Sequence, residues 1–211
     1  MHVLLINGSP REKGCTYTAL SEIAHTLEQE GVGAEILHIG SSPIQGCIAC
    51  GQCWRSESGR CAHGEDIVNV ILEKAADADG FVFGSPVYYA SANGALICAM
   101  DRMFYAGSQA AFAFKPAACV VSARRAGATA ALDQLNKYLP ISGMPMAPSQ
   151  YWNMVHGNTP AEVRRDEEGL QIMRVLARNM AWLLRSIEAG KKAGLPLPIP
   201  EEPRLSTNFI R

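Results

Sequence analysis

The chain begins with His2-Val-Leu-Leu-Ile6, and Asn7-Gly-Ser-Pro10 follows directly. The first run is short, apolar and rich in strand-forming residues, so it predicts a buried strand that ends in a turn. From Thr16 the apolar residues recur at helical spacing as far as Gly31, a residue suited to end a helix. A buried strand, a loop and an amphipathic helix in this order predict the first unit of an α/β fold.

The alternation of strand and helix continues through most of the chain. Further strands are predicted at residues 34–39, 80–83 and 116–121, and one more within residues 144–154, which makes five with the first. Helices are predicted at residues 66–78, 95–105 and 126–138, and from a capping box at residues 159–162 to about residue 187. This order favours right-handed crossovers and a parallel sheet that is covered on both faces.

Composition and charge restrict the class of protein. The 211 residues include 19 Lys and Arg against 20 Asp and Glu, which gives a formal net charge of -1. This balance gives no electrostatic reason to expect nucleic acid or an anionic membrane surface as a partner, and it does not favour a strongly acidic carrier. No apolar stretch approaches the ~20 residues of a membrane-spanning helix, and the amino terminus does not match a signal peptide. We therefore expect a cytoplasmic protein with no nucleic-acid and no membrane partner.

The loop after the first strand is suited to bind a phosphate group. It contains Gly8, Gly14, hydroxyl side chains and Arg11, and it lies between a buried strand and a helix. Backbone N–H groups at such a helix N-terminus bind anions. The glycine spacing matches neither a Walker A loop nor G-x-G-x-x-G. The alternative is that Ser9, Thr16 and Thr18 serve only as helix caps.

Two loops together resemble a known family. Gly8-Ser-Pro-Arg11 with Gly14-Cys-Thr16, and Gly84-Ser-Pro-Val-Tyr-Tyr89 after the third strand, are similar to the flavodoxin-like NAD(P)H-dependent FMN reductases. A cluster of cysteines resembles that of the iron–sulfur flavoproteins, a branch of this family. The resemblance implies a flavodoxin-like FMN-binding domain over residues 1–190, with a doubly wound five-stranded sheet in the order 2-1-3-4-5 and three α/β/α layers.

The same resemblance implies FMN as the cofactor and assigns residues to it. The FMN phosphate would contact Ser9, Arg11, Gly14, Cys15 and Thr16. The isoalloxazine ring would contact Pro86, Val87, Tyr88 and Tyr89, which offer flat apolar surface and backbone N–H groups. The alternative for the two tyrosines is that they simply pack. Cys15 departs from the family, which usually has asparagine there, so its backbone N–H would remain as the donor.

The loop after the fourth predicted strand resembles the third flavin loop of the family less closely. Its candidate flavin contacts are Ser122, Arg124 and Gly127. Either Arg124 or Arg125 could face flavin carbonyls or the phosphates of NAD(P)H, and either could equally be a solvated surface charge.

Four of the seven cysteines crowd into one segment, as C-x2-C-x2-C-x7-C. The two-residue gaps between Cys47, Cys50 and Cys53, followed by Cys61, are more typical of [4Fe–4S] ligation than of zinc. The resemblance implies the same cluster in an insertion at residues 41–64. Zinc and free or redox-active thiols remain alternatives. His63 is either an alternative ligand or, as we expect, an ordinary histidine of a surface loop.

Several other residues have a simpler interpretation. Cys119 and Arg125 match the C-x5-R spacing of phosphatases, but Cys119 lies in a predicted buried strand, where a thiol is inert. Cys98 is expected in the core. Asp101 and Arg102 are interpreted as a surface ion pair, or as support for the flavin loop from behind.

The chain ends in a proline-rich arm at residues 191–211. Its prolines require an extended conformation. Such a segment is either a disordered tail or an arm that docks on its own domain or on a second subunit.

These observations predict an FMN-dependent oxidoreductase that takes hydride from NAD(P)H. It would pass electrons to a second acceptor: a quinone, another small molecule, a redox protein or an iron–sulfur centre. The flavin carries the chemistry, so no catalytic side chain is assigned. The alternatives are a flavodoxin-type electron carrier without enzymatic activity and a cysteine-based or cluster-based redox sensor. The resemblance also suggests a homodimer or a homotetramer.

Overall fold

Strands and helices alternate along the chain in the computed structural model, which describes residues 1–64, 66–107 and 109–198, together with 202, 203, 205 and 207. The strands are β1 (His2–Asn7), β2 (Gly33–His38), β3 (Gly80–Tyr88), β4 (Ser91–Ala92), β5 (Ala117–Ala123) and β6 (Met154–His156). The helices are α1 (Cys15–Gln29), α2 (Gln52–Arg55), α3 (Val68–Asp77), α4 (Gly94–Ala106), α5 (Gln109–Phe112), α6 (Ala128–Asn136), α7 (Tyr138–Ile141), α8 (Pro160–Val163) and α9 (Glu167–Lys192).

The long strands form a parallel sheet in the order β2-β1-β3-β5-β6. This is the predicted order 2-1-3-4-5 when the parallel strands alone are counted, and the predicted fold class is confirmed. Asn7 on β1 lies opposite Gly84 on β3, and Gly84 lies opposite Val120 on β5. The carboxyl ends of the three central strands therefore reach the same edge of the sheet.

Both faces of the sheet are covered. Successive residues of a strand face opposite sides, so Leu4 and Ile6 pack with α3, α4 and α6, and Val3 and Leu5 pack with α1 and α9. All four side chains are fully buried. A strand that is buried on both faces explains why the first residues form a continuous apolar run rather than an alternating one.

Two strands differ most from their predicted bounds. β3 extends beyond residue 83 to Tyr88, because residues 84–86 stay paired with β5, and Val87 and Tyr88 pair with β4 in an antiparallel hairpin. The last strand begins only at Met154, although Met146 upstream already forms a bridge to Ala117. Pro148 has no N–H to continue that ladder.

The predicted last helix is two helices. Thr159 caps α8, as the capping box predicts, and its hydroxyl accepts a hydrogen bond from the Glu162 N–H over 3.2 Å. The chain then starts a second helix, because the Asp166 carboxylate accepts from the Gly169 N–H over 2.9 Å and caps α9. Helical spacing predicts an apolar stripe on this helix from Met173 to Ile187. Ile187 is half-buried, and the other residues of the stripe are buried: Met173, Leu176, Ala177, Met180, Ala181 and Leu184.

The two remaining segments have little regular structure. Between β2 and α3 the chain forms only the short α2. At the other end, α9 extends into the predicted arm at residues 191–211, and residues 195–198 line one groove with Trp182 and Ile187. Residues 199–201, 204, 206 and 208–211 of that arm lie outside the described residues. Among the helices that the structure describes, none is long and apolar enough to cross a membrane.

Truncation of Leu176 tests the packing of α9. Leu176 is fully buried on the α1 side of the sheet, so Leu176→Ala should lower the free energy of unfolding by ~2–5 kcal/mol. Urea unfolding measures this loss. Leu195→Ala is the control, because that side chain is 71% exposed and its loss should change stability by less than about 0.5 kcal/mol. Equal effects of the two substitutions would contradict this packing.

Candidate functional site

Three loops meet at the carboxyl edge of the sheet. The Gly8 N–H donates a hydrogen bond to the Gly84 carbonyl over 2.8 Å, which joins the first loop to β3. The hydroxyls of Thr16 and Ser122 are 2.8 Å apart and buried, which joins α1 to β5. Candidate residues from separate parts of the sequence therefore lie side by side.

The first loop ends at the uncapped N-terminus of α1. The N-cap residue is Gly14, and no side chain caps this helix. The Ser9 hydroxyl accepts instead from the Arg11 N–H within the loop, over 3.1 Å. The alternative that Ser9, Thr16 and Thr18 serve only as caps is therefore wrong. The first N–H groups of a helix have no partner within it and carry partial positive charge, so this end can bind an anion beside the exposed Arg11.

Two residues that the sequence did not indicate hold this loop. Asn7, the last residue of β1, accepts from the Ser9 N–H over 3.1 Å and donates to the Glu12 carbonyl over 2.9 Å. His38, at the end of β2, donates from Nε2 to the Ser9 carbonyl over 2.7 Å. The only sign of this role in the sequence is an asparagine directly after an apolar strand. In the structure the Asn7 side chain is fully buried.

The Cys15 side chain bonds elsewhere and does not take the place of the asparagine that the family usually has there. Its thiol donates to the Gly157 carbonyl over 3.6 Å, and the side chain is half-buried. Burial raises the pKa of the Cys15 thiol, although the nearby Arg11 charge opposes the shift. Cys15 can therefore offer only its backbone N–H at the helix end, as the sequence predicted.

The hairpin of β3 and β4 presents two aromatic side chains. Tyr88 and Tyr89 are exposed, so the alternative that they simply pack is wrong. The turn residues Tyr89 and Ala90 have φ angles of 50° and 59°, as a two-residue hairpin turn requires, although residues other than glycine seldom adopt them. Gln134 stabilises the hairpin, because its Oε1 accepts from the Ser91 hydroxyl over 2.7 Å and from the Ala92 N–H over 3.0 Å.

The third loop contacts the tip of this hairpin. Gly127 is the N-cap residue of α6 and has a φ of 88°. A Cβ atom at Gly127 would lie only 2.7 Å from the Ala90 Cα, so glycine is required for this close approach. Arg124 and Arg125 are both exposed in the same loop. Pro86 and Val87 on β3 are half-buried. A Cβ atom placed at Gly127 would lie 3.2 Å from a methyl group of Val87.

The four clustered cysteines line one pocket. Cys47 and Cys50 are exposed, Cys61 is half-buried and Cys53 is buried, where burial raises the pKa of its thiol. Within the described part of the chain, no group of three His, Cys, Asp or Glu side chains is placed to hold a single metal ion. The four cysteines share one pocket lining instead. In a [4Fe–4S] cluster each cysteine binds a different iron, whereas the ligands of one zinc ion converge on a single point.

Neighbouring helices hold the cysteine segment. Asn69 on α3 accepts from the Cys61 N–H over 2.8 Å and donates to the Cys61 carbonyl over 3.0 Å. Trp54 stacks on Tyr105 of α4, with ring centroids 4.7 Å apart, and its indole N–H donates to the Tyr105 carbonyl over 2.8 Å. His63 lines the same pocket.

The prediction of a surface ion pair at Asp101 and Arg102 is wrong. Arg102 is 1% exposed and donates from Nε to the Cys61 sulfur over 3.2 Å. Asp101 is exposed and accepts from the Tyr138 hydroxyl over 2.5 Å. Successive residues on a helix do not face each other, so the two side chains serve different surroundings. Arg102 belongs to the cysteine pocket.

The predictions that Cys119 and Cys98 lie in the core differ in outcome. Cys119 is fully buried on β5, and burial strongly raises the pKa of its thiol, so it is an inert core residue and not a phosphatase nucleophile. Cys98, which was expected in the core, is only half-buried on α4.

Comparison with known proteins identifies the family. Residues 1–159 match the family described as NADPH-dependent FMN reductase. The chain belongs to this family. It is therefore an FMN-dependent oxidoreductase, as the sequence predicted, and an FMN reductase by family. Among its relatives, an iron–sulfur flavoprotein of Methanocaldococcus jannaschii is 29% identical over 195 residues, which cover 89% of this chain and 100% of the relative.

Solved structures show the same fold. RosB in complex with the intermediate 8-demethyl-8-formylriboflavin-5′-phosphate superposes on this FMN reductase with a TM-score of 0.70 and 18% identity, covering 100% of this chain and 94% of RosB. A flavodoxin from the domain Archaea superposes with a TM-score of 0.59 and 13% identity, covering 88% and 99% of the two chains. The predicted flavodoxin-like fold is thus confirmed.

Substitution of Gly127 tests the contact between the third loop and the hairpin. Gly127→Ala should lower the free energy of unfolding by ~1–3 kcal/mol, because alanine is strained at this φ and its Cβ would collide with Ala90. Gly94→Ala is the matched control, since a Cβ there meets nothing within 4 Å and its φ is ordinary. Urea unfolding of both variants measures the difference. A Gly127→Ala variant as stable as Gly94→Ala would contradict the close approach.

Proposed function

We propose that this FMN reductase oxidises NAD(P)H and delivers the electrons to a second acceptor. FMN is held by the three loops, and a [4Fe–4S] cluster is held by Cys47, Cys50, Cys53 and Cys61. When bound, FMN accepts a hydride and can release single electrons, and an iron–sulfur cluster carries single electrons onward. The relatives named iron–sulfur flavoprotein support the second cofactor.

The observation that carries this proposal is the position of the cysteine pocket relative to α4. Asn93 caps α4 directly after the hairpin, and its N–H donates to the Ser85 hydroxyl over 2.8 Å. Arg102, which lines the cysteine pocket, lies further along the same helix. At 1.5 Å per residue, Gly94 and Arg102 are separated by ~12 Å. One rigid helix therefore joins the candidate flavin loops to the candidate cluster.

The phosphate of FMN fits the uncapped end of α1. The N–H groups of Cys15 and Thr16, the helix charge and the Arg11 guanidinium together supply donors and positive charge for a dianion. Gly14 leaves room at the helix end, and Ser9 shapes the loop through its bond to the Arg11 N–H. RosB, which shares this fold, binds a riboflavin-5′-phosphate derivative.

The isoalloxazine ring fits between the hairpin and the third loop. Pro86 and Val87 offer apolar surface, and the exposed rings of Tyr88 and Tyr89 are available for stacking. Ser122 and Gly127 bring backbone close to the same place. Arg124 is exposed there and free to meet a flavin carbonyl or a phosphate of NAD(P)H.

The acceptor is proposed to be a quinone, another small molecule or a redox protein. The homodimer or homotetramer, the domain bounds and the cytoplasmic location stay predictions from the sequence.

Anaerobic purification tests the two cofactors. We expect flavin absorption bands together with about four iron and four sulfide per chain, and bleaching of the flavin bands when NADH or NADPH is added. Cys61→Ser should lose most of the iron and sulfide and keep the FMN. Cys98→Ser is the control, because Cys98 lies outside the pocket lining and should retain both.

Three results would contradict this proposal. Colourless protein that does not bind added FMN would contradict flavin binding. Flavin with no iron or sulfide would reduce the proposal to a simple FMN reductase. Flavin that neither nucleotide reduces would favour a flavodoxin-type carrier.

Removal of the Arg11 charge tests the phosphate site. Arg11→Gln should weaken FMN binding ~10-fold to ~150-fold, because a charge-assisted hydrogen bond contributes ~1.5–3 kcal/mol. Quenching of flavin fluorescence during titration of the apoprotein measures the dissociation constant. Lys74→Gln removes a positive charge that instead pairs with Glu35, so it should leave the dissociation constant unchanged. The same affinity in both variants would exclude Arg11 from the phosphate site.

A further inference from the structure

Arg102 is the most deeply buried charged side chain among the described residues. It lies on α4, but every partner of its guanidinium belongs to the segment between β2 and α3. Nε donates to the Cys61 sulfur over 3.2 Å, and Nη1 donates to the Gln45 carbonyl over 3.2 Å. Nη1 also pairs with the Asp66 carboxylate, and Nη2 donates to the His63 carbonyl.

These bonds fix the direction of the guanidinium. Arginine presents its N–H groups in a rigid planar fork, so the bonds of Nη1 and Nη2 also determine where the Nε–H points. A lysine has one nitrogen and could not reach all these acceptors. The Cys61 backbone is held by Asn69, which accepts from the N–H and donates to the carbonyl of Cys61. The guanidinium and the Cys61 backbone are therefore both held in place.

The charge of Arg102 is paired with a single carboxylate. Asp66 is its counter-ion, with a side chain that is 19% exposed, and this carboxylate also accepts from the Val68 N–H over 3.1 Å at the start of α3. Among the described residues that line the pocket, the other ionisable side chains are His63, Tyr105 and the four cysteines. The exposed Arg55 lies nearby and donates to the Cys50 carbonyl over 2.9 Å. Since a buried charge is screened little by water, Arg102 acts strongly on any charge that the pocket holds.

We propose that Arg102 raises the reduction potential of the iron–sulfur cluster in this pocket, through its hydrogen bond to the Cys61 sulfur and its buried positive charge. The inference rests on the proposed [4Fe–4S] cluster. Hydrogen bonds to the sulfurs and local charge are among the determinants of the potential of such clusters. Arg102 is thus a positioning residue that tunes the cluster, and the neighbouring Asp66 moderates its effect.

The electron balance is that of a one-electron couple. Reduction adds one electron from a chemical reductant, dithionite in the test below, and no bond forms or breaks. The added negative charge is favoured by the guanidinium and disfavoured by the Asp66 carboxylate. Removing the Arg102 charge should therefore lower the reduction potential, and removing the Asp66 charge should raise it.

Redox titration of the anaerobically purified protein tests the inference. The cluster is followed by electron paramagnetic resonance during reduction with dithionite and mediators, and iron and sulfide are counted in every sample. In Arg102→Gln we expect the equilibrium constant for reduction of the cluster to fall at least tenfold. For a one-electron couple this lowers the reduction potential by about 59 mV or more. In Asp66→Asn, which keeps an acceptor for the Val68 N–H, the potential should rise.

Arg60→Gln is the matched control. Arg60 belongs to the same segment but is exposed and pairs with Glu73 on α3, so its loss should leave the potential unchanged. A merely structural Arg102 would lower the cluster content of its variant without shifting the potential of the clusters that remain.

The outcomes separate this inference from the proposed function. Wild-type protein without iron and sulfide would overturn the cluster and the inference with it. Loaded Arg102→Gln with the wild-type potential, or with a raised one, would overturn the inference alone. If Arg102→Gln does not load, the upward shift in Asp66→Asn decides, and loss of the cluster from both variants would show that Arg102 is structural only.

Discussion

Parallel pairing of β1, β3 and β5 in one register is the constraint on which the rest of the structure depends. Because Asn7, the last residue of β1, lies beside Gly84 of β3, and Gly84 lies beside Val120 of β5, the carboxyl-terminal parts of the central strands lie at one edge of the sheet. The loops that follow are then close enough to bond directly, as Gly8 does with Gly84 and Thr16 with Ser122. Displacing β3 along β1 would separate these pairs. The candidate flavin site is therefore a property of strand register as much as of loop sequence.

The sequence predicted those features that neighbouring residues determine. Apolar runs predicted the strands, and helical spacing predicted α1 and α9. Because ligands bind at the carboxyl edge of a parallel sheet, the sequence also pointed to the three loops that follow the central strands. The predictions from the sequence were wrong where a residue far along the chain determines the local structure. β3 extends because β5 pairs with it as far as Pro86 and β4 returns to pair with Val87 and Tyr88, a return that Gln134 stabilises. The break before α9 likewise depends on how the Asp166 side chain folds back.

The cysteine pocket shows the same division. The spacing of Cys47, Cys50, Cys53 and Cys61 was enough to predict that they act together, and they do line one pocket. The residues that hold them come from α3 and α4, far along the chain. Arg102 was misinterpreted because Asp101 stands next to it in sequence, whereas the helix turns successive side chains to different neighbours. A sequence shows which residues are adjacent, and only the fold shows which share an environment.

The uncapped start of α1 links folding to ligand binding. A serine or aspartate at an N-cap position stabilises a helix by ~1 kcal/mol relative to alanine, and Gly14 forgoes about a few tenths of a kcal/mol of that contribution. The helix end instead keeps its N–H groups available for an anion. Any anion that binds there stabilises the folded chain in proportion to the logarithm of its concentration. With FMN bound there as proposed, the thermal stability of this protein would rise with the FMN concentration, and the FMN-free protein would be the form more exposed to unfolding and proteolysis.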